Sequence, residues 1–442
     1  MKLKASLLVA LAMLAAVDSA SSQTVVRIVA SNGDRTATQT AISHLLAPGW
    51  TFNGINGFTS SSGSLATATG ANFGAWNGTY SGDPVIIKVS YSGALAGIAA
   101  VAGNIDQRFV ITNGTNDGTV VNPLTTANPA NYEIAKADFG FSTNFQSTSP
   151  FNGVFQGVTY NSVIQEVVGV SPLGFYASPG FPAAGANITT QLAQLLYTTG
   201  SVTLAQFTGD FANDANKIVY GLGRNTDAGQ RFGAYTEIGL GTTSVVRVWF
   251  PAVTGTTTAS GITYGGTVNS HELWPVAQQP GTFAVPLGSG GYSSGALLAQ
   301  NLTVTLGPDA YKNKFFDDET NQFAFQYPNA TAGYYVGYLT PGDANNRVLG
   351  QSGVVPLANR GIALKFNGVD LTDDNVRNGR YTAWLYNRIL KPQSGLTGSK
   401  LTFANALRDQ IKTVDAPSGG GLFDDASFKV TRSTDGGLVI PK

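Results

Sequence analysis

Two arginines, four glycines and an expected helix start lie within residues 217–237, KIVYGLGRNTDAGQRFGAYTE. Arg224 and Arg231 flank a polar loop, and Gly221, Gly223 and Gly229 open backbone geometries closed to other residues. A helix expected from about Phe232 aims its first unpaired amides back into that loop. Aligned helix-start N–H groups beside a guanidinium form an anion site: the amides supply donors, and the guanidinium supplies charge in a fixed fork. The pattern points to binding before catalysis. Arg224 is the candidate charge, and Gly229 with the following amides, including that of Gln230, the candidate donors. A structural salt bridge, for instance to Asp227, is the other role open to Arg224. A solvated helix start is the other role open to Gln230.

The elements that must hold this loop follow one rhythm. VVRIVA at 25–30 reads as a strand, and a loop with Asn32, Gly33 and Asp34 follows it. A helix is expected over about 36–46, where Ala37, Ala41, Ile42 and Leu45 share a face and Asp34 is a candidate N-cap. Residues 84–91, PVIIKVSY, read as a buried strand, followed by a loop at 92–95 and a helix at 96–102. DFGFS at 138–142 is a third short strand. Repeated strand–loop–helix units indicate a parallel α/β sheet, with ligands at the C-terminal strand ends. That rim carries the hydroxyls of Ser92, Ser142 and Thr143. They are candidate ligand contacts, or they satisfy strand-end backbone groups.

Residues 162–178, SVIQEVVGVSPLGFYAS, outrun an ordinary strand and read as a crossing between two lobes. An amphipathic helix follows at 189–198, with Leu192, Leu195 and Leu196 expected inward. From 241 to about 330, Thr/Val alternation and glycine turns replace the α/β rhythm, which marks a β-rich insertion. AGYYVGYL at 332–339 resumes a buried strand, segments 361–366 and 401–414 close the fold, and the Gly-rich end reads as a loose tail. The boundaries expected are a first lobe of 23–171 plus 352–442 and a second lobe of 172–351.

Composition narrows the function classes. Residues 1–22 read as an export signal: a basic start, the apolar stretch 5–17, then small residues that place cleavage near Ala20 or Ser22. Thirteen residues in that stretch fall short of the roughly 20 needed to span a bilayer. The mature chain is expected to be exported, periplasmic or extracellular, with no membrane span. Without Lys2, Lys4 and Asp18, 24 basic and 25 acidic residues remain, a net charge near −1. With only 12% charged residues and balanced signs, nothing marks a nucleic-acid or anionic-membrane partner. There are no cysteines, so disulfides and thiol chemistry are excluded. The 43% hydrophobic content supports a folded core.

Catalytic signatures are weak. Gly291, Tyr292, Ser293, Ser294 and Gly295 fit G-x-S-x-G, but the hydrolase order needs a later histidine, and His44 and His271 both precede it. No HExxH occurs, the acidic runs 317–319 and 373–374 lack EF-hand spacing, and His271-Glu272 reads as a loop pair. Trp76, Tyr334, Tyr335 and Trp384 are either cleft aromatics or core. No catalytic residue, metal or cofactor is assigned.

Four segments, in this order, resemble the phosphate-binding-like branch of the type II periplasmic solute-binding proteins, the substrate receptors of ABC transporters. They are VRIVASNGDRTATQTAI at 26–42, IKVSYSGALAGIAAV at 87–101, KADFGFSTNFQ at 136–146, and the Arg224 loop, which is similar to the family's Arg-x-Asp-Gly-Ser-Gly-Thr signature. LAQFTGD at 204–210 and VRNGRYTAW at 376–384 are weaker echoes. The resemblance implies an α/β, two-lobed type II periplasmic-binding-protein fold with the insertion added. It also implies an oxyanion such as phosphate held between the lobes, a monomer, and an ABC permease as partner. Arg224 and Gly229 match the family's motif. Ala228 and Gln230 stand where it has Ser and Thr, Ala94 where a ligand serine falls, and Thr143 where an acidic residue accepts the phosphate proton. Asn32 and Gly33 occupy the first ligand loop. These departures leave a second reading: a secreted structural or adhesive protein that keeps the fold without the pocket.

Overall fold

The computed structural model describes residues 23–54, 57–60, 65–114, 129–275, 285–317, 319–418 and 423–442, so the signal-like segment 1–22 lies outside the described residues. The first sheet contains β1 (Thr24–Val29), β2 (Thr51–Gly54), β3 (Gly57–Ser60), β4 (Phe73–Tyr80), β5 (Asp83–Ser90), β6 (Phe139–Ser142) and β7 (Val163–Pro172). The second contains β8 (Gly174–Ala177), β9 (Asn187–Ile188), β10 (Ser201–Thr203), β11 (Lys217–Gly221), β12 (Ala332–Leu339) and β13 (Ile362–Phe366). Finally β14 (Trp384–Pro392) returns to the first sheet. Strand order is β7-β14-β6-β1-β5-β4-β2-β3 in one sheet and β9-β13-β8-β12-β11-β10 in the other.

The parallel heart of the first lobe is β1, with Thr24 opposite Val85 on β5 and Ile28 opposite Phe139 on β6. Strand β14 enters antiparallel between β6 and β7. In the second lobe β11 runs parallel to β12, and β8 is antiparallel to both β12 and β13. The chain crosses between the sheets twice, at Leu173 between β7 and β8 and over 367–383 between β13 and β14. Strand β13 pairs with Phe175–Ala177 of the second sheet, so the return to the first lobe falls after Phe366 and not at 352.

Local sequence explains the helices that matter at the cleft. Helix α1 (Arg35–Leu45) buries Ala37, Ala41 and Ile42, the face that the spacing predicts. Helix α2 (Ala94–Ala102), ALAGIAAVA, is buried along its length. Small side chains of high helix propensity let it lie close on the sheet. Helix α3 (Thr190–Thr199) is capped by the Thr189 hydroxyl and buries Leu196, but Leu195 is 39% exposed and not inward. Helix α4 (Gly229–Glu237) begins three residues before the expected start. Its Phe232 packs with Leu95, Ile98 and Leu390 of the first lobe, while Tyr235 and Ile238 join the second lobe's core.

The stretch after α4 is woven into the second lobe. Trp249–Thr254 pairs antiparallel with Thr267–Leu273, and Thr305–Leu306 adds a parallel edge. Val248, Trp249, Val268 and Leu298 enter the same core as β11 and β12. The C-terminal segment is docked, not a loose tail. Val430–Thr431 pairs with Ile440–Pro441. Arg432 ion-pairs with Glu237 at 2.8 Å, and Asp435 accepts a 2.9 Å bond from the Phe145 amide. Among the described residues no helix is long and apolar enough to cross a membrane.

Candidate anion-binding site

The loops leaving β1, β5, β6, β11 and β12 converge between the lobes on a cavity of about 40 Å³. Asn32, Gly33, Ser92, Thr143, Arg224, Gly229 and Gln230 all line it, so one site gathers seven of the eight residues singled out from sequence. The exception is Ser142. It is fully buried, and its hydroxyl accepts a 3.1 Å bond from the Asn144 amide. Successive residues of a strand end point to opposite faces, so Thr143 reaches the cavity and Ser142 is spent on the backbone.

Arg224 is the centre of the site. Its side chain is buried. Nε donates to the Tyr292 carbonyl at 2.9 Å, Nη2 to the Ser293 carbonyl at 3.2 Å, and Nη1 to Oε1 of Gln230. A guanidinium carries five N–H donors, so two remain after these three bonds. All three acceptors are neutral. Burial accordingly lowers the pKa of Arg224 to about 10, against the opposing pull of Asp343 and the Tyr338 hydroxyl. The backbone amide of Arg224 is held by Tyr338 Oη at 3.1 Å, and Arg231 clamps the loop by donating to the carbonyls of Arg224 and Gly290.

Gln230 is not a solvated helix-start residue. It is buried, accepts from Arg224 and donates to the Thr340 hydroxyl at 3.3 Å. Gly229 has a steric role in addition to any donor role. A Cβ there would lie 1.6 Å from Thr143 Oγ1 and 2.9 Å from both Ala94 Cβ and Asn144 Oδ1. Only glycine lets the start of α4 sit against the first lobe this closely. The floor is also tied by a 3.3 Å bond from the Leu95 amide to the Asp227 carbonyl.

On the first-lobe side, Asn32 carries a buried Oδ1 without a protein partner, and the Gly33 amide donates to the Ser31 hydroxyl at 3.1 Å. Ser92 Oγ shares a 2.7 Å bond with Ser90 Oγ. Asp34 makes no capping bond. Its carboxyl is buried, accepts from the Asn387 amide, and is pushed well above the usual carboxylate range by desolvation. Arg35 is half-buried, burial lowers its pKa, and its guanidinium donates to Asn72.

Ser293 lines the cavity, but His271 bonds Tyr335 and Asn313 and His44 pairs with Asp415 at 3.0 Å, so neither histidine attends it. His271 and Glu272 lie in the strand Thr267–Leu273, not in a loop, with the imidazole buried. Trp76, Tyr335 and Trp384 are core residues. Asp318 of the acidic run lies outside the described residues. Among the described residues no cluster of three His, Asp or Glu could hold a metal.

No family model matches the chain, and no curated protein matches it. Among solved structures, the chain is similar to an ABC-type phosphate transport receptor from Vibrio cholerae, at 11% identity and a TM-score of 0.41, covering 90% of this chain and 99% of that one. It is also similar to PstS from Borrelia burgdorferi, at 10% identity and a TM-score of 0.36, covering 91% and 99%. The architecture is two α/β lobes joined by two crossings, as the strand order shows.

Ser31, Ser171, Ser293 and Thr340 also line the cavity and were not singled out as ligand contacts from sequence. Ser31 lies two residues past the end of β1 and Thr340 directly follows β12, so the rule that ligands gather at C-terminal strand ends could have found them. Ser171 lies near the end of β7 with no local pattern to mark it, and Ser293 is marked only by the G-x-S-x-G match, which points to catalysis and not to ligand contact.

Proposed function

We propose that this chain is an exported solute-binding protein that holds a small tetrahedral oxyanion between its two lobes, without catalysis, and delivers it to an ABC permease. The observation that carries this reading is Arg224, a buried guanidinium with neutral hydrogen-bond acceptors and two spare donors, at the wall of an inter-lobe cavity. A buried cation in that setting is stabilised by an incoming anion. The start of α4 supplies aligned amides at the same wall. Thr143, Ser92 and Asn32 supply polar groups opposite.

The second reading, a structural or adhesive protein on the same fold, has its own support. Ala94 and Ala228 line the cavity where hydroxyls would strengthen an anion site, and three of Arg224's five donors already have protein acceptors. Calorimetric titration with phosphate, sulfate and related oxyanions separates the two. Saturable binding of one of them, abolished by Arg224→Ala, supports the receptor. A folded protein that binds none of them, and whose melting point none raises, supports the alternative.

A further inference from the structure

The anion cavity is the floor of a much larger space. A cleft of about 1160 Å³ opens directly above it, and the two share ten lining residues, Arg224, Gln230, Ser92 and Thr340 among them. Ligand sites of about 300–1,000 Å³ hold molecules of drug size, far larger than a bare oxyanion. The cleft is not simply the gap left by parted lobes, because the floor below it is already shut by the Leu95–Asp227 bond and the packing of Gly229 on Thr143.

The cleft walls define what would fill that volume. Beyond the residues shared with the floor, two arginines, Arg35 and Arg377, and two aspartates, Asp343 and Asp373, line the cleft, so above the anion the lining is balanced and suits a neutral group. Asn72, Gln107 and Ser294 offer hydrogen bonds to hydroxyls, and the half-buried Phe73 and Phe423 offer apolar aromatic surface. Tyr91 is 3% exposed, so its ring is a fixed part of the wall.

We propose that the ligand is a monoester of the oxyanion with a hydroxyl-rich organic group, its charged head in the floor beside Arg224 and its organic part in the cleft. The inference rests on the oxyanion reading of the floor. Alanines at 94 and 228 leave that floor fewer hydroxyl contacts, which fits a ligand that takes part of its affinity from the cleft.

The test is calorimetric titration of the full chain with inorganic phosphate, inorganic sulfate, glycerol 3-phosphate, glucose 6-phosphate and glucose 6-sulfate. It is run on the wild type, Arg224→Ala and Ala296→Trp. Ala296 lines only the outer cleft, on the helix Gly295–Asn301, so a tryptophan there fills that space without touching the floor. At least one monoester should bind tenfold or more tightly than its inorganic anion. Ala296→Trp should remove that gain and leave the inorganic anion within twofold. Arg224→Ala should weaken both. If the inorganic anion binds and every monoester binds more weakly, or if Ala296→Trp weakens ester and anion alike, the ester inference is overturned while the oxyanion reading stands. If no probe binds the wild type, the oxyanion reading falls and the inference falls with it.

Discussion

Replacing Arg224 with methionine separates a ligand-holding arginine from a structural tie, because the first role predicts little change in stability and the second a clear loss. Burial lowers the pKa of this guanidinium from 12.5 to about 10. A cationic group whose folded pKa lies below its unfolded value is less favourably charged in the native state, at about 1.4 kcal/mol per unit. The charge therefore costs the ligand-free fold on the order of 3 kcal/mol, which Arg224→Met recovers. Against this, the carbonyls of Tyr292 and Ser293 and Oε1 of Gln230 lose their donor, at about 1 kcal/mol each. The opposing contributions nearly cancel, so the denaturation free energy of the ligand-free protein should move by no more than about 1 kcal/mol. Affinity should behave differently. Two spare charge-assisted donors, at roughly 1.5–3 kcal/mol each, amount to a loss of about a hundredfold or more in oxyanion binding. Urea denaturation without ligand and calorimetric titration of the same variant read the two quantities. Loss of more than about 3 kcal/mol of ligand-free stability, with oxyanion affinity unchanged, would refute the reasoning.

Three further outcomes are expected. Gly229→Ala places a methyl 1.6 Å from Thr143 Oγ1, and overpacking of this kind should lower the urea midpoint by an amount equivalent to about 1–3 kcal/mol. Thr143→Ala in the same chain should return part of the loss, and an unshifted midpoint in Gly229→Ala contradicts the close approach of α4. His271 is buried against Tyr335 and Asn313, and desolvation holds its pKa at about 3. A base with a depressed folded pKa keeps its full contribution above about pH 6.5 and loses stability as pH falls toward 3, by about 1.4 kcal/mol per unit. His271→Gln should flatten the fall in melting temperature between pH 6 and 4, and equal slopes in the two proteins would exclude this burial effect. Arg432→Ala breaks an ion pair whose side chains are 2% and 8% exposed. Unfolding free energy should drop by about 3–5 kcal/mol, and a change below about 1 kcal/mol would mean the C-terminal segment carries little load.

The sheet-forming segments were legible because burial writes itself into composition. VIIKV within β5 and the run from Val168 through β8 are buried on both faces, so strand and first crossing could both be read. The second crossing was not legible, since Ile362–Phe366 pairs in the second sheet and nothing in its five residues distinguishes one sheet from the other. The site was read nearly whole at the level of loops and less well at the level of atoms. Adjacent Ser142 and Thr143 carry the same hydroxyl chemistry, and only the face on which each emerges gives the cavity one and the backbone the other. Gln230 looked solvated because polar residues favour helix starts, yet its partner Thr340 is 110 residues away. Long-range partners of that kind, like Asp435 for Phe145, leave no local trace.

Helix α4 makes the floor of the site a built interface. Its first residue abuts Thr143 and Ala94, Phe232 is buried with Leu95 and Leu390 of the first lobe, and Gly233 packs on Leu385 of β14. Two residues further on, Tyr235 belongs to the second lobe's core. Parting the lobes at the floor would expose Phe232, at roughly 1.5–3 kcal/mol, and would also break the Leu95–Asp227 bond. Across the outer cleft Arg35 of the first lobe and Asp343 of the second interact through charge rather than packing, so adjustment to a ligand is expected at the mouth before the base. On the proposed oxyanion reading, selection would divide along the same line, with charge recognised at the floor and size judged above it.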